Sequence, residues 1–92
     1  MAKNYPLEHG EISIHGVRMG WSMRRSKGES AFGIQGSRIF YLEMRRNGKE
    51  IAKYDRAWET PIPNEDEEAA LTLQYLIDKY GRNKGANKPK EV

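Results

Sequence analysis

Three aromatic and two basic residues fall at spacings that could build a recognition surface. Tyr41 and Arg45 lie in one apolar-rich run, and Tyr54, Arg56 and Trp58 lie in the next. Aromatic rings stack on unpaired bases, and arginines meet phosphate, so the set could bind nucleic acid. Trp, Tyr and Arg are also the residues enriched in protein–protein hot spots. A third reading is a second core face, covered by the N-terminal segment or by another copy of the chain. The basic pairs Arg24-Arg25 and Arg45-Arg46 sit at strand ends, with Lys27 and Lys49 close by, and would lend electrostatic support.

Other chemistry finds less support. The chain has no cysteine, which removes disulfides, thiolate metal sites and thiol nucleophiles. Its two histidines, His9 and His15, have no partner at metal-ligand spacing in the sequence and read as exposed residues. The run Glu65, Asp66, Glu67, Glu68 is explained by its place at a helix start, where the dipole favours negative charge. Asp55 and Glu59 would need a further acid brought close by the fold. Gly33-Ile34-Gln35-Gly36 lacks the Lys-Ser/Thr of a phosphate loop. The expectation is a binding protein, not an enzyme, with no cofactor and no metal.

Charge is distributed unevenly along the 92 residues. Residues 1–59 carry eleven Lys/Arg against seven Asp/Glu, residues 60–81 one against five, and residues 82–92 four against one. A basic sheet and tail around an acidic helix start would suit phosphate or an acidic protein surface. No stretch approaches the roughly 18 apolar residues of a membrane span, and the N-terminus lacks an apolar leader, so a cytoplasmic protein is expected.

The elements that must position these residues are legible from pattern. Glu11 to His15 alternates polar and apolar, His15-Gly16 reads as a two-residue turn, and Val17, Met19, Trp21 and Met23 share one face of the next strand. That register pairs Ile14 with Val17 and Ile12 with Met19. Ala31 to Gln35 reads as a strand interrupted at Gly36-Ser37, and Arg38 to Arg46 as the strongest strand. Asn47-Gly48 is a hairpin turn, and Lys49 to Trp58 is the return strand. Its register puts Arg45 opposite Glu50, Met44 opposite Ile51, Leu42 opposite Lys53 and Tyr41 opposite Tyr54. Phe40, Leu42, Met44 and Ile51 then form the core face, and Ile39, Tyr41, Arg45, Glu50, Ala52, Tyr54, Arg56 and Trp58 the other.

Thr60-Pro61-Ile62-Pro63 ends the sheet. Asn64 is the expected N-cap, with Glu67 in capping-box position. Ala69, Ala70, Leu73, Leu76, Ile77 and Tyr80 make the apolar stripe, and Gly81 stands at the expected C′ position. The fold expected is α+β: an antiparallel meander of about four strands with one C-terminal amphipathic helix on one face. Residues 1–81 form the domain, and residues 82–92 a disordered basic tail.

The block Phe32-Gly33-Ile34-Gln35-Gly36-Ser37-Arg38-Ile39, then Tyr54-Asp55-Arg56-Ala57-Trp58, then Glu67-Glu68-Ala69, resembles small uncharacterised phage and prophage proteins of Gram-positive bacteria. The likeness spans about residues 10–81. It implies a mobile-element protein in a bacterial cytoplasm and transfers no site residue. Small phage proteins of this kind often block host machinery, CRISPR–Cas included. The resemblance therefore implies a host protein or nucleoprotein as partner, with direct nucleic-acid binding and a homodimeric assembly role as the alternatives.

Overall fold

The computed structural model describes residues 5–82. It is α+β: five antiparallel strands followed by one helix. The strands are β1 (Glu8–Ile14), β2 (Val17–Arg25), β3 (Ile39–Arg46), β4 (Lys49–Asp55) and β5 (Trp58–Thr60), and the helix is α1 (Glu67–Tyr80). The strands lie in chain order, so every connection is local. No described helix is long and apolar enough to cross a membrane. The expected basic tail, residues 82–92, lies outside the described residues from residue 83 onward.

Both two-residue turns form as the sequence requires. His15 and Gly16 have φ of 53° and 77°, and Asn47 and Gly48 have 50° and 87°. Two successive left-handed residues make the turn whose twist matches that of the flanking strands. The first turn sets Ile14 against Val17 and Ile12 against Met19, as expected.

The second hairpin corrects the expected register. Arg45 faces Glu50, but Met44 faces Ala52, leaving Ile51 as an extra residue in β4. A single extra residue exchanges the faces of everything beyond it. Leu42 therefore faces Tyr54, and Tyr41 faces Asp55. Another irregularity leaves Phe40 without a counterpart between the pairs Arg24–Tyr41 and Arg25–Ile39. Ile39, Ala52 and Tyr54 consequently join Leu42 and Met44 in the core, while Phe40 packs edge-on against Tyr5 with ring centroids 5.4 Å apart. The return strand also ends sooner than expected. It turns at Arg56-Ala57 and returns as β5, which accounts for the fifth strand.

Residues 31–35, expected to be a strand, instead form with Gly36 and Ser37 a run of turns and a short 3-10 segment at Ile34–Gly36. Here Gln35 and Gly36 take φ of 54° and 76°, which no strand accommodates. The segment packs on the sheet beside α1, over Tyr54 of β4. It buries Ile34, and the Phe32 carbonyl accepts a 2.9 Å hydrogen bond from the Tyr54 hydroxyl.

Helix α1 packs on β1, β2 and β3. Its N-cap is Asp66, whose side chain accepts from the Ala69 amide at 3.1 Å, and not Asn64. Glu65 adopts φ of 63°, which reverses the chain and delays the helix by two residues. The buried positions are Ala69, Thr72, Leu73, Leu76 and Ile77; Ala70 is exposed. Gly81 follows the helix but is right-handed, at φ −90°. Glycine is required there for space: a Cβ would lie 2.9 Å from the Ile77 carbonyl and 3.0 Å from Ser37 Cβ. Trp21 spreads over Gly10 of the neighbouring strand, where a Cβ would come within 2.8 Å of the indole.

Gly33 is the tightest of these approaches. It has an ordinary φ of −80°, but a Cβ there would fall 1.6 Å from the Ser37 carbonyl oxygen, which is backbone and cannot step aside. Gly36 has the unusual φ and open space around it. Gly33→Ala is therefore expected to destabilise the fold by about 2–4 kcal/mol, as overpacking against fixed atoms does. Gly36→Ala should cost only about 1 kcal/mol. Urea denaturation of the two variants checks the order, which is the reverse of what backbone angles alone would give.

Candidate recognition face

Helix α1 and the 31–37 segment both lie on one side of the sheet. The other side is covered by no helix or strand among the described residues. Alternation along β2, β3 and β4 brings Ser22, Arg24, Tyr41, Glu43, Arg45, Lys53 and Asp55 to this open face, all half-buried.

Their contacts form one connected net. The Tyr41 hydroxyl donates to Glu43 in a short hydrogen bond. The other Glu43 oxygen lies 3.5 Å from Arg45 Nη1, and Arg45 Nη2 donates to Ser22 Oγ at 3.0 Å. Arg24 and Lys53 each bring their charge within 6.0 Å of the Tyr41 ring centroid, the range of a cation–π contact. Arg24 also donates to the Tyr5 carbonyl, at 2.6 Å. Each side chain is held by at least one neighbour, so the face is ordered before anything docks on it.

The eight residues singled out from the sequence do not stay together. Tyr41, Arg45 and Arg24 stand together on the open face. Tyr54 is on the helix side and only 7% exposed, and Trp58 stands at the sheet edge with its ring 5.0 Å from that of Tyr54. Arg56 projects from the β4–β5 turn at φ 62°, its Nε 3.6 Å from Asp55. Arg25 and Arg46 face the helix. Arg25 grips both Glu8 oxygens at 2.8 Å and reaches the Tyr80 carbonyl, while Arg46 pairs with Asp66. The single platform expected from Tyr41, Arg45, Tyr54, Arg56 and Trp58 does not form, because the bulge at Ile51 turns Tyr54 inward.

Sequence reasoning missed Glu43, Ser22 and Lys53. Glu43 could have been found, since Tyr41, Glu43 and Arg45 follow a two-residue period. Tyr5 and Phe40 could not, because their contact depends on the irregularity at Phe40.

His15 also gains partners that the sequence hid. Its Nδ1 lies 3.3 Å from Glu68 and 4.0 Å from Glu67 at the start of α1. Three potential ligands meet there. The positive end of the helix dipole and Arg46, 3.8 Å from Glu68, already supply the positive charge these acids would seek.

The Tyr41 phenol has a pKa pushed up to about 12, first by donating to Glu43, then by burial and by the Glu43 and Asp55 charges. The raised value belongs to the folded state. The stabilisation is complete below the ordinary tyrosine pKa near 10 and is lost as pH rises toward 12. Glu43→Gln removes the charge that raises it and should return Tyr41 toward the ordinary range. Phenolate absorbance followed through an alkaline titration of the folded protein, with Tyr41→Phe to identify the transition, measures this.

Comparison with known proteins identifies a family. Residues 7–81 match the family described as Domain of unknown function (DUF7678), and with most of its length matched the chain belongs to that family. No curated protein and no solved structure matches it.

Proposed function

We propose that this family member is a binding module that docks a partner protein on its open sheet face, around Tyr41, Arg24 and Arg45. One observation carries the reading: four basic side chains on and beside this face lie close to acids of the same chain, while Arg24 is held by the Tyr5 carbonyl and the Tyr41 ring. Arg45 pairs with Glu43, Lys53 lies 3.7 Å from Glu59, Arg18 lies 4.0 Å from Glu11, and Arg56 pairs with Asp55. A polyanion is drawn by unmatched positive charge and releases counterions on binding. A face of mixed charge, tied by its own contacts, with a half-buried aromatic at its centre suits a folded protein surface better. The phage-type resemblance of the sequence makes a host protein or nucleoprotein the expected partner, with inhibition of a bacterial defence complex as the biological role. The reading includes no catalytic step.

Tyr54 does not serve as a probe of this face, since truncating it opens the core. The informative variant is Tyr41→Ala with Arg45→Glu, compared with Leu71→Ala on the exposed side of α1. Capture from bacterial lysate after nuclease treatment should recover a specific protein partner. The face variant should weaken that partner's affinity at least about 30-fold, the effect of losing a hot spot worth 2 kcal/mol or more. Leu71→Ala should leave it unchanged. Recovery of nucleic acid alone, lost with nuclease or at moderate salt, would replace this reading with direct nucleic-acid binding.

A further inference from the structure

The sheet has two edges, and they are guarded very differently. Strand β5 is three residues long, follows an irregular register between Lys53 and Tyr54, and runs into Pro61 and Pro63. Short length, bulges and proline are the usual means of keeping an edge from pairing with another chain. Strand β1 has none of them. It pairs regularly with β2 over seven residues and contains no proline, no lysine and no bulge. No described strand occupies its outer edge.

The hairpin turn determines which backbone groups are free. Ile14 and Val17 flank a two-residue turn and so exchange both their hydrogen bonds. By alternation Ile12, Gly10 and Glu8 also bond toward β2. His9, Glu11 and Ser13 therefore direct their N–H and C=O groups outward, and all three side chains are exposed on the open-face side. The Arg18 carbonyl supports this phase, since it points the other way from Val17 and accepts from the Asn47 amide at 2.9 Å. A shallow depression lined by Glu11, Ile12, Ser13, Gly16 and Arg18 runs along the same stretch.

We propose that β1 pairs antiparallel with β1 of a second copy, about a two-fold axis at Gly10. In that register His9 of each copy stands opposite Glu11 of the other. The two pairs are complementary in hydrogen bonding and, when the imidazole is protonated, in charge, and would supply about four backbone hydrogen bonds. The competing register centred on Glu11 puts that carboxylate against itself. At the axis Gly10 is already stripped of a side chain by Trp21, which lets the two backbones approach. Joining five strands from each copy makes one continuous sheet. Both Tyr41 nets then lie on a single open surface, so pairing enlarges the recognition face without covering it.

Cysteine is absent from the sequence, so introduced thiols report the pairing directly. Under mild oxidation His9→Cys with Glu11→Cys should give covalent dimers, and Glu11→Cys alone should not. Sedimentation should show dimer rising with concentration, and Glu11→Pro should be monomeric. Proline there removes an outward N–H and leaves the bonds to β2 intact. Circular dichroism checks that this variant is folded, and if it is not, the cysteine pair decides. A wild-type chain that stays monomeric at high concentration would overturn the proposal. So would dimer that persists in folded Glu11→Pro, or equal crosslinking by Glu11→Cys alone. Shifts at the His9, Glu11 and Ser13 amides on removal of residues 83–92 would assign the edge to the chain's own C-terminal segment instead. Tyr41→Ala with Arg45→Glu should leave the dimer intact, which separates this test from that of the recognition face.

Discussion

Two arginines from the central strands fasten α1 to the sheet, one at each end. Arg25 at the end of β2 grips Glu8 with two parallel hydrogen bonds, donates to the Tyr80 carbonyl at 3.3 Å, and lies 5.1 Å from the Tyr80 ring. Arg46 at the end of β3 pairs with Asp66, the residue that caps the helix. Each contact suits its end of the helix. The guanidinium of Arg25 meets the negative C-terminus, and the carboxylate of Asp66 accepts from an amide of the positive N-terminus. These partly buried, charge-assisted contacts set where the helix sits and how far it reaches. With one helix over five strands, that placement decides which part of the sheet is covered and which needs another cover.

The covered side of the sheet is accordingly shared between two elements. Helix α1 serves β1 to β3, where Met19, Trp21, Met23 and Met44 are buried beneath Leu73, Leu76 and Ile77. Trp21 reaches across Gly10, and its ring lies 5.9 Å from that of Tyr75 and 6.5 Å from that of Tyr80. The 31–37 segment covers Tyr54. It is tied in turn to the helix end, because the Arg38 amide donates to the Gly81 carbonyl at 2.7 Å. Gly33 packs against the Ser37 backbone, and Gly81 against the Ile77 backbone and the Ser37 Cβ. The two covers are therefore mechanically one, joined at the C-terminus of α1.

The legible parts of this design are those governed by local rules. Both hairpin turns, the β1–β2 register and the acidic start of the helix follow from residues close in sequence. The parts that could not be read depend on contacts between distant residues. The alternation of Ala31 to Gln35 suits a strand, but a strand there would lose the Tyr54 hydroxyl bond and the tight Gly33–Ser37 approach. Asn64 and Asp66 are equally good caps by type; the Arg46 contact selects Asp66. Most consequential is Ile51. A strict two-residue period through β4 puts Tyr54 with Tyr41, and one bulged residue puts them on opposite sides. The aromatic pair that suggested a platform in the sequence is thus divided between the core and the open face.

That division changes the chemistry that the open face can offer. Without Tyr54 and Trp58, it has Tyr41 set among Arg24, Arg45 and Lys53, with Glu43 and Asp55 interleaved. The helix clamps have meanwhile turned Arg25 and Arg46 to the other side. Not all of the excess positive charge visible in the sequence of the sheet region reaches the open face. Part of it holds the helix, and part is neutralised across strands. What is left on the open face is a mosaic of both signs. The unguarded edge lies beside it. Backbone groups of His9, Glu11 and Ser13 continue the face laterally, so a strand added there would extend the same mosaic.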